Sequence, residues 1–259
     1  MSIQFSPNRL LFRTIPPWDW ISVAAPGFLA AGFTSLGLLA GGRSLGPIIA
    51  GWTAGALLIP CCLPDGRAGR TWRRRWIRAG GVVVGTAAVW LALIGSDAAS
   101  VGQWAQVSAM LAAYALAMMS LLSLIRRLRF SAGLVRAAGI AVGLAWLTWP
   151  IWLSPLLANG SGNLARAWLT LAVPVHPILA SNGILTFTAP WTEQTIAYQL
   201  TVLDQDVPIQ VPATALAGVS FYVTMAMIMG LIGKSLARFR RYRGRQQRNG
   251  KALLVHSRV

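Results

Sequence analysis

Few side chains in the sequence have the chemistry of a catalytic or metal-binding site. It contains two histidines, His176 and His256, and two adjacent cysteines, Cys61 and Cys62. His176 lies within Pro174-Val-His-Pro177 and is the strongest single candidate, because an imidazole can act as a general base or bind a metal. The competing interpretation is a histidine that packs between two prolines at an interface. We take His176 forward as a candidate residue of an external loop.

The acidic residues are the groups that could assist such a histidine. None of them is predicted in mid-membrane, where proton-coupled transporters usually keep a carboxylate or a histidine. That class of transporter is therefore disfavoured. Three acids follow His176 in the same segment, but their spacing does not require contact with it. All six lie at the ends of apolar stretches or in loops: Asp19, Asp65, Asp97, Glu193, Asp204 and Asp206.

The remaining motifs predict neither a cofactor nor a metal. With two histidines in the chain, transmembrane bis-histidine haem ligation is disfavoured. The Cα atoms of Cys61 and Cys62 are about 3.8 Å apart, which is below the usual range for a disulfide, and two thiols alone do not complete a zinc site. No Walker-type loop, nucleophile elbow or zinc-protease motif occurs. We expect no catalytic residue, no cofactor and no enzyme activity.

The composition of the chain indicates the class of protein in which these residues lie. The chain has a formal net charge of +17, yet 55% of its residues are hydrophobic and only 11% are charged. Soluble domains typically have about 25% charged residues, so too little charge is present to cover a water-exposed surface. These values exclude a soluble enzyme, a disordered basic tail and a disulfide-rich secreted domain. They are typical of a polytopic membrane protein.

Six apolar stretches are candidates for transmembrane helices. A bilayer core about 30 Å thick requires roughly 20 mostly apolar residues per helix, and the third stretch is short unless it includes flanking residues. Together they predict an all-α bundle of about six transmembrane helices in one integral membrane domain, residues 1–259. The predicted spans are residues 20–41, 45–63, 80–95, 104–125, 134–157 and 213–233.

The basic residues predict the orientation of these spans. If six spans alternate, 21 of the 23 Lys and Arg residues fall on one side, and only Arg43 and Arg166 fall on the other. Because cytoplasmic loops are enriched in Lys and Arg, both termini are expected in the cytoplasm, with a basic cytoplasmic tail at 234–259. We expect a multi-pass protein of the bacterial cytoplasmic (inner) membrane that contacts anionic lipid headgroups and binds no nucleic acid.

The loop between spans two and three is a candidate contact site on that side. Trp72 and Trp76 are four residues apart and share one helical face. The segment is predicted to be a short interfacial helix that binds anionic lipid or the acidic residues of a cytoplasmic partner, and the alternative is a role in orientation alone. Its candidate docking residues are Trp72, Arg73, Arg74, Arg75, Trp76 and Arg78.

Two other segments lie outside the predicted spans. Residues 5–15 mix apolar residues with two arginines and fit either a helix lying on the membrane or an unstructured tail. Residues 158–212 are predicted to form a structured external region. Within it, 164–180 is expected to be interfacial or re-entrant and covered by protein. Ile184–Thr188 is a candidate strand, and Trp191–Leu203 fits a strand or a helix.

This layout resembles the membrane domain of ABC-2-type export permeases. The resemblance covers nearly the whole chain and concerns topology: six spans with both ends inside, an N-terminal interfacial segment (Phe5–Ile15), a cytoplasmic coupling helix (Thr71–Arg78) and a partly re-entrant external region (Leu164–Leu203). It implies a permease-like subunit of a transport complex, energised by a separate cytoplasmic ATPase subunit. It also implies pairing with other membrane subunits or as a homodimer. The segment Arg73-Arg74-Arg75 would then be the docking surface.

The alternative function is a non-catalytic membrane scaffold or assembly subunit of a larger membrane complex. Such a subunit needs the same spans and no chemistry. Glycines at helix-packing spacing, including the GxxxG pattern of Gly51 and Gly55, predict close helix contacts within the chain or between subunits. This feature fits both functions.

Overall fold

Helices account for all the regular secondary structure that can be described in this protein. The computed structural model describes residues 17–40, 45–63, 71–95, 99–159, 162–185 and 212–256. Within these ranges every element is helical and no strand occurs. The predicted all-α class is therefore confirmed for the described part of the chain. Each of the six apolar stretches lies in a helix over its described residues, except at its outermost residues.

The described ranges contain eight α-helices and one 3₁₀ helix. In chain order they are α1 (Pro17–Ala40), α2 (Leu45–Cys61), α3 (Thr71–Gly95), α4 (Val101–Arg127), α5 (Ala132–Asn159), α6 (Gly162–Ala172), the 3₁₀ helix (Val173–Val175), α7 (Pro177–Ile184) and α8 (Leu216–His256).

Three of these helices are long and apolar enough to cross a membrane. They are α4, α5 over Ala132–Leu153, and α8 over Leu216–Arg240. Gly46–Cys61 within α2 is a shorter apolar helix. These lengths agree with an integral membrane protein. The basic tail is also helical to His256, and α8, with 41 residues, is about 60 Å long at 1.5 Å per residue.

One predicted element differs in the structure. The sequence predicts a separate interfacial helix over Thr71–Arg78, but this segment forms the first two turns of α3, which continues unbroken to Gly95. Gly80 and Gly81 follow it without ending the helix, and α1 packs on Gly81: a Cβ at Gly27 would lie 2.9 Å from the Gly81 carbonyl oxygen. The short third stretch thereby gains the flanking residues that it needed.

Some predictions fall outside the described residues. These are the N-terminal segment 5–15 and the candidate helix or strand Trp191–Leu203. Of the candidate strand Ile184–Thr188, the first residue ends α7 and Leu185 follows it, while the rest lies outside.

Local signals set the ends of the central helices. Ser100 begins α4 with a capping box: its hydroxyl accepts from the Gln103 N–H, and the Gln103 side chain accepts from the Ser100 N–H. The turn from α4 to α5 passes through Arg129 at a φ of 73°, in the left-handed region that few side chains adopt. The Ser131 hydroxyl then accepts from the Leu134 N–H at the start of α5.

Helices α2 and α4 form the centre of the bundle. α2 contacts α1, α3, α4, α5 and α7, and α4 contacts α2, α3, α5, α7 and α8. Trp52 of α2 is fully buried. Its ring centroid lies 6.1 Å from that of Trp90 on α3 and 5.8 Å from that of Tyr114 on α4. Large aromatic side chains therefore fill the space where these three helices meet.

Helices α1 and α3 approach each other through glycine. A Cβ added to Gly85 would lie 2.2 Å from the Gly27 carbonyl oxygen, a separation that real Cβ atoms do not adopt. The backbones are therefore in direct contact at this point, as small residues permit between membrane helices.

Gly85→Ala is expected to lower the free energy of unfolding by about 1–3 kcal/mol, because the methyl group overlaps the Gly27 carbonyl and α1 must shift. The measurement is thermal unfolding of the purified chain in detergent. Gly80→Ala is the matched control on the same helix, since nothing lies within 4 Å of a Cβ there. It should be neutral or slightly stabilising, because Ala favours helix over Gly. Equal stability of the two variants would contradict the close α1–α3 contact.

Candidate functional site

The chain between α5 and α8 enters the bundle as a helix, a break and a second helix. Pro174 lies in the 3₁₀ helix that follows α6, and Pro177 is the first residue of α7. Proline lacks an N–H and is favoured in the first turn of a helix, which is where Pro174 and Pro177 lie. Proline alone does not force the break, because α1 continues through Pro26. The residues of the break and of α7 are nearly all buried. Protein therefore covers this segment, as expected for a re-entrant element.

Side chains from the surrounding helices satisfy the polar groups of the break and of α7. The Trp52 indole N–H donates to the Ser181 hydroxyl at 2.9 Å, and that hydroxyl donates to the Pro177 carbonyl at 2.7 Å. The Gln103 side-chain amide donates to the Ile184 carbonyl at 2.8 Å. Helix α2 thus holds the middle of α7, and α4 holds its C-terminal end.

A second set of bonds attaches the break to α5 and α8. The Tyr222 hydroxyl donates to the Val175 carbonyl at 2.7 Å and accepts from the Trp146 indole N–H at 2.9 Å. Burial of a backbone carbonyl without a partner is costly. Tyr222 therefore satisfies the Val175 carbonyl of the 3₁₀ helix, and Trp146 in turn donates to the Tyr222 hydroxyl.

His176 is the N-cap of α7 and lies in the interior. Its side chain is 1% exposed, and its Nδ1 accepts from the Leu179 N–H at 3.1 Å. Because Nδ1 accepts, the proton of the neutral ring is on Nε2, which lies 3.2 Å from the Leu147 carbonyl oxygen and donates to it. The ring also packs edge-on against Trp149, with centroids 5.5 Å apart.

This geometry supports a structural role for His176. Both ring nitrogens are engaged with the backbone, so neither is available to bind a metal or to accept a proton from a substrate. Burial lowers the pKa of the imidazole to about 4, against the opposing effect of its bond to Leu147. Within the described residues, no three His, Cys, Asp or Glu side chains lie close enough to hold a metal ion. Cys61 and Cys62 are both free thiols.

A second candidate site is the arginine-rich end of the bundle, formed by residues of α3, α4, α5 and α8. The Arg127 guanidinium donates to the Gly233 carbonyl, and Arg240 donates to the Arg127 carbonyl. Arg136, near the start of α5, donates to the Leu63 carbonyl just after α2. Burial, and the charges of Arg126 and Arg127, lower the pKa of Arg75 on α3. Basic residues that are distant in sequence therefore gather at one end.

The predicted docking residues all lie in the first two turns of α3, at this end. Arg74 is exposed, whereas Arg75, Trp76 and Arg78 are half-buried. The side chains of Trp72 and Arg73 lie outside the description, although their backbone is helical. Of the three predicted docking arginines whose side chains are described, Arg74 is the exposed one.

The third feature is an apolar cleft between α5 and α8, here called the α5–α8 cleft. Its volume is about 540 Å³, within the usual range of small-molecule sites. Both helices pack on α4, and they meet where Trp146 stacks on Phe221 with centroids 6.2 Å apart. α6 contributes Trp168 to one end. The walls are almost entirely apolar and include Leu121, Trp149, Trp152 and Met225.

Sequence reasoning missed this cleft. The available signal was the spacing of Trp146, Trp149 and Trp152, because residues three apart lie on neighbouring positions of one helical face. On α8 the lining residues Phe221, Met225 and Met229 also share a face, at every fourth position.

No protein-family model, curated protein or solved structure matches the chain. What the protein does is therefore inferred from its own residues. The resemblance to ABC-2-type export permeases stays a prediction of topology.

Acidification is expected to destabilise the protein through His176. Its pKa is about 4 in the folded chain against 6.5 for the unperturbed group, so the unfolded chain binds the proton first as pH falls. The free energy of unfolding should therefore fall between about pH 6.5 and pH 4. The measurement is the Tm in detergent across this window.

His176→Asn is the matched variant for this test. Asn keeps a side-chain oxygen that can cap α7 but does not titrate. Its Tm should be lower than that of the parent at neutral pH, because the contacts with Leu147 and Trp149 are lost, and it should depend less on pH. The same pH dependence in both chains would show that His176 is not the titrating group.

Proposed function

We propose that the chain is a permease-like integral membrane subunit of a transport complex, energised by a separate cytoplasmic ATPase. In this proposal six helices cross the membrane and both termini are cytoplasmic. The main observation in its support is the arginine-rich end of the bundle, where the start of α3, the end of α4 and the middle of α8 come together.

The arrangement of the helices supports the proposed orientation. Because α3 begins and α4 ends at the arginine-rich end, the two helices run in opposite directions, as consecutive spans do. Arg136 places the start of α5 at the same end. An end that gathers basic residues from several loops is expected on the cytoplasmic side. In this proposal three of the six spans are α4, α5 and α8, and the other three are α1, α2 and α3.

Charge and shape at this end support an acidic protein partner. Arg74 is exposed on the first turn of α3, and guanidinium groups match carboxylates in geometry. Arg127, Arg136 and Arg240 bind backbone carbonyls of neighbouring segments, which holds the helices at this end together. Beyond it, α8 continues as a helix to His256, so a cytoplasmic ATPase would meet a preformed basic surface.

A scaffold or assembly subunit is the second candidate, and the packed centre of the bundle favours it. Trp52, Trp90 and Met110 are almost fully buried where α2, α3 and α4 meet. Such a centre provides rigidity rather than a path for a polar substrate through these helices. A scaffold would co-purify with other membrane subunits and no ATPase.

Arg74→Glu is expected to reduce the amount of ATPase that co-purifies with the chain by about tenfold or more, because reversing one charge at a contact replaces attraction by repulsion. The measurement is quantitative mass spectrometry of the complex purified from the native membrane. Arg238→Glu is the matched control, since it makes the same charge change at another exposed position near this end. Loss of the ATPase in both variants, or in neither, would contradict docking on α3, and membrane partners alone would favour the scaffold.

A further inference from the structure

We propose that the α5–α8 cleft binds one acyl chain of a membrane glycerolipid, with the Trp149 indole N–H donating to an ester carbonyl oxygen of that lipid. This assignment goes beyond the proposed function. It requires only that α4, α5 and α8 lie in the membrane, and it holds for a permease and for a scaffold.

The position of the cleft along α5 matches one leaflet of a bilayer. Trp152 lies about 24 Å along the helix from Arg136, so these residues fall near opposite faces of a hydrocarbon core about 30 Å thick. The cleft extends from Trp152 to Val142, about 15 Å along the helix axis. Along α5 the cleft therefore covers about half the thickness of the core.

The upper end of the cleft has the residues of a membrane interface. Trp152 is 53% exposed and Trp168 is 44% exposed, and both line the cleft. Tryptophan concentrates at the level of lipid headgroups, which is close to the ester groups of a glycerolipid. A lipid chain that starts at this level would run down the cleft toward Val142.

The lining suits a hydrocarbon chain. The side chains below the tryptophans are Leu121, Val142, Met225 and Met229, and none of the described side chains that line the cleft is charged. Methionine is flexible and polarizable, so it adapts to chains of different shape. Val142 at the rim is 47% exposed, so the route of entry is from the apolar phase rather than from water.

Trp149 supplies the one polar feature that an ester would match. Its side chain is 2% exposed and lines the cleft beside Trp168, with ring centroids 6.2 Å apart. Among the residues that the structure describes, its indole N–H has no hydrogen-bond partner. A buried donor without a partner is costly. The Nε1 atom is itself buried, so in this proposal the ring turns toward the cleft to reach an ester carbonyl, which removes that cost.

The other unpartnered donor in the lining is placed differently. The Tyr114 hydroxyl also lacks a partner among the described atoms. However, it lies against the backbone of α5, because a Cβ at Gly143 would be 2.9 Å from it. Trp149 is therefore the donor that we assign to the lipid.

The first experiment maps lipid contact on the full chain in nanodiscs that contain a phospholipid with a photoreactive diazirine in its acyl chain. Labelled peptides should come preferentially from the cleft walls on α4, α5 and α8. Ala145→Trp, which places a bulky ring at a cleft position, should reduce this labelling by about tenfold. Ala141→Trp is the matched control on an exposed position of the same helix outside the cleft and should leave it unchanged.

The second experiment tests the hydrogen bond by comparing an ester-linked phospholipid with its ether-linked analogue, which lacks the carbonyl. Native mass spectrometry of the unmodified chain should show about tenfold better retention of the ester lipid. Trp149→Phe removes the N–H and keeps most of the ring, so it should retain the two lipids equally. The comparison in the unmodified chain alone remains decisive if this variant does not fold.

Three outcomes would overturn the proposal. Labelling spread evenly over the outward faces of all helices, and unaffected by Ala145→Trp, would make the cleft ordinary bilayer-facing surface. Equal retention of ester and ether lipids by the unmodified chain would remove the role of Trp149. Recovery of an isoprenoid or another non-glycerolipid from the cleft would contradict the assignment of an acyl chain.

Discussion

The bundle depends on satisfying the backbone of one broken segment that lies inside it. Between α6 and α7 the chain leaves the α-helix, and in a low-dielectric interior each free carbonyl or N–H there would be costly. Trp52, Gln103 and Tyr222 supply the outside partners, and His176 caps α7 from within. These bonds fix where α6 and α7 can lie. The position of α6 in turn places Trp168 at the upper end of the α5–α8 cleft.

The elements that follow from local composition could be predicted, and those that follow from packing could not. Long apolar stretches in a membrane satisfy their backbone hydrogen bonds as helices, and the described stretches are helices. Pro174 and Pro177 indicated the break between α6 and α7. The bond from His176 to Leu147 involves a backbone carbonyl, so no residue type signals it. The cleft arises because α5 and α8 share α4 as a neighbour, and a single sequence does not reveal which helices are neighbours.

The arginines have a second role besides orientation. Arg127 and Arg136 bind carbonyl oxygens of α8 and of the chain after α2. Arg127 is also the last residue of α4, where a cation interacts favourably with the helix end. Part of the net positive charge is therefore used to join helices at the arginine-rich end. The segment Thr71–Arg78 is not a separate helix, because its backbone is continuous with α3.

The bond between Trp52 and Ser181 also imposes an order on biosynthesis. The two residues are separated by 129 positions in the chain, so a ribosome adding about 5–20 residues per second needs roughly 6 to 26 seconds to reach the second after the first. During this interval α3 to α6 are synthesised, and the Trp52 indole N–H is still without its acceptor. The N-terminal helices must therefore persist as an incomplete assembly, held by their glycine and aromatic contacts, until α7 is inserted as one of the last pieces.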